Sequence, residues 1–275
     1  MRITTLLENR SISKEYKCKH GLSLHIETPN HKILFDTGAD ESFIQNAEKL
    51  GIKLEDVDIV IISHGHSDHG GGLEAFLNLN KKAKIYIGKG AFNKHIIKLL
   101  GLFKYNIGLK KSLLNSDRFI FVDKVQKIDD ELMLIGDIQG EKLVPQGNDM
   151  LLKVNQAGAL EKDDFNHEIS LVISENNHSI LFCGCAHKGI VNIIEKTKEI
   201  IDKDVYTVIG GFHLMDLKIK SPTSQEFLNQ LANILAQNNT YKYYTCHCTG
   251  EPAYNYLRQK MMNLDELKTG KIIEI

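Results

Sequence analysis

Apolar positions along this chain recur in two rhythms. Short runs rich in Val and Ile have the length of strands, and i, i+3, i+4 stretches have helical spacing. The pattern is used twice. Residues 22–39, LSLHIETPNHKILFDTGA, align without a gap on residues 169–186, ISLVISENNHSILFCGCA. Nine of the eighteen positions are identical, among them Ile26/Ile173, His31/His178, Leu34/Leu181 and Phe35/Phe182. Each copy reads as strand, turn (PNHK or NNHS) and strand, a hairpin. A helical stretch follows each, over residues 41–50 and 189–201. DVDIVIISHGH (56–66) then parallels DVYTVIGGFH (204–213). Last, KIYIGKGAFNKHI (84–96) parallels YKYYTCHCTGEPAYNYL (241–257), each a strand, a glycine-bearing loop and a helix. A single duplication of this length predicts two pseudo-symmetric halves, about 1–100 and 165–275, within one domain spanning 1–275. Each half supplies one sheet, the sheets pack face to face and helices cover the outside. The expected fold is a four-layer αββα sandwich, α/β (α+β) in class. Residues 101–164 have no counterpart. They read as an insertion of helical pieces and short strands (Phe119–Val122, Leu132–Ile135) beside the functional rim. Lys98, Lys104, Lys110 and Lys111 there read either as a solvated basic surface or as an attraction for an anion.

The chemistry gathers in residues 56–73, DVDIVIISHGHSDHGGGL. Val57 and Ile59–Ile62 read as a buried strand. At its end stand His64, His66, Asp68 and His69 within six positions, then Gly70, Gly71 and Gly72. Imidazole with carboxylate suits zinc, and also iron or manganese. Alternation at a strand exit puts His64 and His66 on one side. Asp68 and His69, at the mouth of the next helix, are expected to point elsewhere, so the four suit two neighbouring ions better than one tetrahedral site. The glycines are expected where backbone must approach the ions or substrate. A merely polar loop would draw on Gly, Asn, Asp and Ser rather than on clustered histidine. The duplication brings the ends of corresponding strands to one rim: Asp36 and its counterpart Cys183, the His64 loop and its counterpart at 212–213, and the loop carrying His247.

This run resembles the H-x-H-x-D-H signature of the metallo-β-lactamase superfamily. The resemblance extends to Asp36 in ILFDTG, to CGCAHKGIVN (183–192), to GGFHL (210–214) and to CHCTG (246–250). These motifs are similar to the branch that contains dihydropterin-type synthases and proteins described as metal-dependent hydrolases. The resemblance implies the αββα fold, two divalent ions (zinc foremost, Mn or Fe as alternatives) and an anionic small-molecule substrate. One ion takes His64, His66 and His187, the other Asp68, His69 and His247, each set leaving open positions as catalytic sites do. Much of the superfamily has a bridging aspartate where this chain has Cys185. That residue is a thiolate ligand, a nearby non-ligand, or leaves the bridge to water. Asp36 is expected to accept the second ring N–H of a ligating histidine. His213 or Asp68 is expected to handle a proton. His167, in DDFNHE, has little support, and His20, His25, His31, His95 and His178 read as structural.

Bulk properties narrow the classes. Lys+Arg is 34 against Asp+Glu 35, a net charge of −1, so no basic field argues for nucleic acid. The first thirty residues lack the apolar core of a signal peptide and no run approaches transmembrane length, so a soluble cytoplasmic protein without membrane contact is expected. The oligomeric state is left open. Of the five cysteines, four form Cys183-Gly-Cys185 and Cys246-His-Cys248, a spacing shorter than that of structural zinc sites. A redox di-iron relative would carry Glu at position 66 and bring a flavin domain. The reading is therefore a hydrolase, or a pterin-type transferase releasing diphosphate. The alternative is a non-catalytic metal-binding sensor or structural domain.

Overall fold

Both hairpins of the repeat form, and in the same register. In the computed structural model β2 (Ser23–Glu27) pairs antiparallel with β3 (Lys32–Phe35), Leu24 opposite Phe35 and Ile26 opposite Ile33. β13 (Ser170–Glu175) pairs likewise with β14 (His178–Phe182), Leu171 opposite Phe182 and Ile173 opposite Ile180. These are the same positions of the repeat. β3 then runs parallel to β4 (Ile59–Ile62), and β4 to β5 (Lys84–Gly88). In the second copy β14 runs parallel to β15 (Thr207–Gly210), and β15 to β16 (Lys242–Thr245). A parallel neighbour needs a crossover, and helices α1 (Ser42–Lys49) and α4 (Ile190–Ile201) provide the first in each copy.

The structure describes residues 1–275 except Gly101, Gln156 and Asp216, and except the side chain of Thr223. The chain forms two compact units. The first comprises Met1–Asp123, Met150–Ile169 and Leu267–Ile275; the second comprises Lys124–Asp149 and Ser170–Glu266. In the first, β1 (Arg2–Leu7), β8 (Phe119–Val122) and β18 (Ile272–Glu274) complete a seven-stranded sheet in the order β18-β1-β2-β3-β4-β5-β8. In the second, β9 (Val125–Lys127), β10 (Leu132–Ile135) and β17 (Leu264–Glu266) complete the order β17-β16-β15-β14-β13-β10-β9.

The continuous apolar runs follow from burial on both faces, as parallel strands require. In β4, Val60 and Ile62 pack with Phe43 and Ala47 of α1 and with Leu73 and Phe76 of α3 (Leu73–Leu79), while Ile59 and Ile61 on the opposite face are buried too. In the second unit Leu181 and Val208 join Ile190 and Ile194 of α4, Leu228 and Leu231 of α5 (Pro222–Gln237) and Leu257 of α6 (Glu251–Arg258).

Three expectations are corrected. Residues 84–96 do not end in a helix: β6 (His95–Leu99) begins there and pairs with β7 (Phe103–Asn106) and β11 (Leu151–Val154). β-branched Ile96 and Ile97 face Leu152 and Leu151 across that ladder. The counterpart does become a helix, α6, because Pro252 in its first turn presets φ there and KGAFNKH has no such start. Second, the insertion holds no α-helix among the described residues, only strands and 3-10 turns (Lys111–Asn115, Gln146–Met150). It is also divided, since β11 and β12 (Leu160–Lys162) join β6 and β7 in a four-stranded sheet of the first unit, while β9 and β10 extend the second unit's sheet. Third, the last residues return to the first unit, where β18 pairs with β1. Of the basic residues named above, Lys98 and Lys104 face each other across β6 and β7, and Lys110 pairs with Glu74 at 2.6 Å. Among the described residues no helix is long and apolar enough to cross a membrane.

Candidate metal centres

In the first unit the ends of the parallel strands β3 and β4 deliver Asp36, Ser63 and His64 side by side. Asp36 is fully buried and sits at a φ of 60°, so the chain turns sharply as it leaves β3. One carboxylate oxygen accepts Ser63 N–H at 2.7 Å. The other accepts Ser63 Oγ–H at 2.8 Å and the Nδ1–H of His69 at 2.6 Å. Ser63 gives its hydroxyl proton to Asp36, so its oxygen accepts the Nδ1–H of His64 at 2.9 Å. Both histidines are thereby held as the tautomer that leaves Nε2 to face a cation. Asp36 thus holds the Nδ1–H of His69 directly and that of His64 through Ser63.

His69 does not point away from the first pair. Helix α2 (Ser67–Gly70) turns its ring to 4.1 Å from that of His64, nearer than the ring of His66 at 4.6 Å. Asp68 Oδ2 lies 3.7 Å from His69 Nε2 and 3.3 Å from His20 Nε2. His20, read as structural, therefore reaches the motif. The three glycines serve packing within the protein: a Cβ on Gly71 would lie 2.3 Å from Ala39 O, and one on Gly72 2.4 Å from Thr37 O. A cleft of about 510 Å³ behind α2 includes Asp40, Glu41, Glu74 and Lys110, three carboxylates to one ammonium, and is a poor seat for an anion.

His66 has neighbours that the sequence did not suggest. His95, Asp163 and His167 surround it, all buried. Burial, with His167 adding to it, holds His66 well below the usual imidazole range. Burial would raise the Asp163 carboxyl, but hydrogen bonds from His167 and His95 outweigh it and hold Asp163 far below the carboxylate range.

The second unit has its own donors. His187, following β14, is buried, and its Nδ1 lies 2.9 Å from Asn148 Oδ1 while Asn148 Nδ2 donates to His187 O at 2.8 Å. Asn148 thus orients His187 as Asp36 orients His69; it lies in the insertion, in no recognisable motif. The His213 ring lies 4.2 Å from that of His187. Ala186, His213 and His247 all have φ near 50°, the left-handed region that non-glycine residues avoid, and such outliers concentrate at functional sites. Cys185 is buried with Cys248, and together with His213 they offer donor atoms within 4.8 Å of one another. Cys248 Sγ accepts His213 N–H at 3.3 Å and donates to Cys185 O at 3.6 Å. Burial would raise its thiol, but side-chain hydrogen bonds with Cys185 and His213 bring it well below the usual range. Cys183 instead takes a hydrogen bond from Ser170 Oγ at 3.7 Å. The paired C-x-C motifs therefore contribute one cysteine each to this group, Cys185 and Cys248.

Known proteins place this arrangement. The sequence profile of the metallo-β-lactamase superfamily matches residues 17–149. The 7,8-dihydropterin-6-methyl-4-(β-D-ribofuranosyl)-aminobenzene-5′-phosphate synthase of Methanocaldococcus jannaschii is 29% identical over 100% of this chain and 96% of its own. The crystal structure of Tm1679, described as a metal-dependent hydrolase of the β-lactamase superfamily, superposes with a TM-score of 0.84 at 28% identity, covering 100% of this chain and 99% of that one. The metallo-β-lactamase fold protein YhfI of Bacillus subtilis, 11% identical with a TM-score of 0.58 over 100% of this chain and 99% of its own, shares the fold. With its duplicated mixed sheets and its histidine motif at the end of β4, the chain has the metallo-β-lactamase fold, and it is similar over its whole length to proteins of that superfamily.

Proposed function

We propose that this chain is a metal-dependent enzyme acting on an anionic, phosphorylated small molecule, as a hydrolase or as a transferase that releases diphosphate. The observation that carries the reading is the buried imidazole group at the end of β4. His64 and His69 each have Nδ1 tied to a hydrogen-bonded partner, which leaves Nε2 as a donor beside Asp68 and His66. Imidazoles with a carboxylate suit zinc, with manganese or iron as alternatives. His187 and His247 enter the ligand sets from the sequence pattern alone.

When bound, divalent cations supply Lewis acidity and lower the pKa of water towards neutrality. The chain's residues do the rest. Asp36 and Asn148 fix ring orientation. Asp68, whose side chain is 22% exposed, is placed to exchange a proton with solvent, and His213 is the second candidate for that task. The hydrolase description of Tm1679 and the synthase name of the archaeal relative support the two chemistries, and the latter's name includes a phosphate ester.

The test is elemental analysis of protein purified without chelators. Asp68→Ala and His187→Ala are each expected to bind about one ion fewer than wild type, with release of phosphate or diphosphate from pterin diphosphates lost in both. Metal content untouched by Asp68→Ala would overturn the two-ion reading. A second reading, a non-catalytic metal sensor, is favoured by the Cys185–His213–Cys248 group, since soft thiolate donors suit retention of a metal. Zinc-loaded protein that is silent towards aryl phosphates and pterin diphosphates alike would establish it.

A further inference from the structure

The four-stranded sheet of the first unit has the order β12-β11-β6-β7, so β7 is an edge strand. Ile107 N–H donates to His95 O at 2.9 Å, and Tyr105 and Phe103 lie across from Ile97 and Leu99. Hydrogen-bonded pairs alternate along an antiparallel ladder. The backbone groups of residues 103, 105 and 107 therefore face β6, and those of Lys104 and Asn106 face outward. All four residues of β7 are exposed. The exposed side chains are apolar as well: Leu100 is 87% and Leu102 81% exposed, and Phe103 and Tyr105 54% each. An apolar edge with outward amides invites another strand, and a contiguous exposed apolar patch marks an interaction site.

The strand is complementary to itself. Two copies pairing antiparallel can join only the residues whose backbone faces outward. Lys104 opposite Lys104 of the second copy would set like charges face to face, which is destabilising. Asn106 opposite Asn106 would run past the end of β7. Lys104 opposite Asn106 of the second copy avoids both, and each such pair exchanges two backbone hydrogen bonds. In that register Tyr105 meets Tyr105 on the two-fold axis, and Phe103 meets Ile107 of the second copy. Three apolar pairs then line up on one face.

The same register says where the hairpin tip goes. Leu102 and Leu100 lie beyond Phe103, and on the second copy Gly108, Leu109 and Lys110 lie beyond Ile107. Those three residues line the cleft of about 510 Å³ behind α2, together with Ala75 and Leu113. Charge agrees with shape. Asp40, Glu41 and Glu74 line the cleft, and Lys98 and Lys104 flank the incoming tip.

We propose that two copies of this chain associate about a two-fold axis through β7, each inserting Leu100 and Leu102 into the cleft behind α2 of the other. The contact is isologous, the same patch serving both copies. It draws on none of the proposed metal ligands and stands or falls apart from them.

Sedimentation velocity over a concentration series tests it, with twice the chain mass expected for wild type. Tyr105→Lys sets two ammonium groups on the axis, and Leu102→Asp carries a carboxylate into the cleft. Each is expected to weaken association at least about tenfold. Lys104→Pro is expected to do the same while keeping the ladder to β6, because the N–H it removes faces outward. Circular dichroism checks folding, and Leu102→Asp carries the test if Lys104→Pro does not fold. In a Cys18→Ser background, Tyr105→Cys is expected to cross-link to its own counterpart under diamide. Residues opposite one another in a non-hydrogen-bonded pair have Cα atoms about 4.5 Å apart, within disulfide reach. Lys98→Cys is expected not to cross-link. A wild type that is monomeric at every concentration, or a dimer that all three variants leave unchanged, would overturn the contact. So would cross-linking at position 98 in place of 105. A monomer that pellets with phosphatidylglycerol vesicles, and loses this in Leu102→Asp, would overturn it too and give the tip to a membrane surface.

Discussion

His25 shows how far one position can depart from its repeat. It occupies the place on β2 that Val172 occupies on β13, and both are buried. Val172 joins the second unit's core, whereas neither ring nitrogen of His25 has a hydrogen-bond partner. Burial lowers its pKa, with Glu27 opposing. A depressed imidazole pKa means that the unfolded chain binds the extra proton, so stability is complete above the unfolded value of about 6.5 and falls as pH drops through it. His25→Val should therefore stabilise the protein by about 1–2 kcal/mol at pH 7.5 by removing two unsatisfied buried groups. The gain should widen at pH 5.5. Urea unfolding at both pH values checks this, and a destabilised variant or a gap that does not widen refutes it. The same scale separates what could be read from what could not. His64, His66, Asp68 and His69 are legible because four donors fall in six positions. Asn148, Asp163 and His95 carry no such local density, and only chain folding gives them partners.

At the scale of elements, the duplication predicted both hairpins, their crossover helices and the parallel strands that follow. The turn spans the same number of residues in both copies, and that length fixes the register of each hairpin. The duplication failed as a guide at residues 91–96, where strand pairing with β11, a segment more than fifty positions on, decided the conformation. Helix α2 carries a prediction of its own. Gly71 has a φ of −65°, which any residue adopts, so the need for glycine there is contact alone. A Cβ would meet Ala39 O at 2.3 Å and Ser67 O at 2.4 Å, and backbone cannot step aside as a side chain can. Gly71→Ala is expected to cost about 1–3 kcal/mol and to displace Asp68 and His69 with the helix. Thermal melts and zinc titration should both change; an unaltered zinc affinity would separate the glycine from the metal motif.

For the molecule as a whole, the chain end is part of the first unit's sheet. β18 pairs Ile272, Ile273 and Glu274 with Thr4, Ile3 and Arg2, and the Met1 amino group donates to Ile275 O at 2.7 Å. Removing residues 272–275 would leave β1 as a bare edge and expose Ile3, which is fully buried. A loss of about 2–3 kcal/mol from Ile273 burial and the ladder bonds corresponds to a fall in melting temperature of roughly 4–12 °C for a chain of this size. Further self-association should appear by size-exclusion chromatography. A truncated chain that melts and elutes as wild type does would show that β18 is ornamental.

The sequence by itself determined the two-fold repeat, the mixed-sheet class and the histidine motif, because each is written in neighbouring residues: alternation, a turn, or donors clustered at a strand end. Only the tertiary structure decided that His69 turns towards His64, that Asn148 holds His187, that Cys248 accompanies Cys185, and that His95, Asp163 and His167 close around His66. Those contacts join positions far apart in the chain. Their energy comes from burial and hydrogen bonding between segments that have no relation until the sheets have formed.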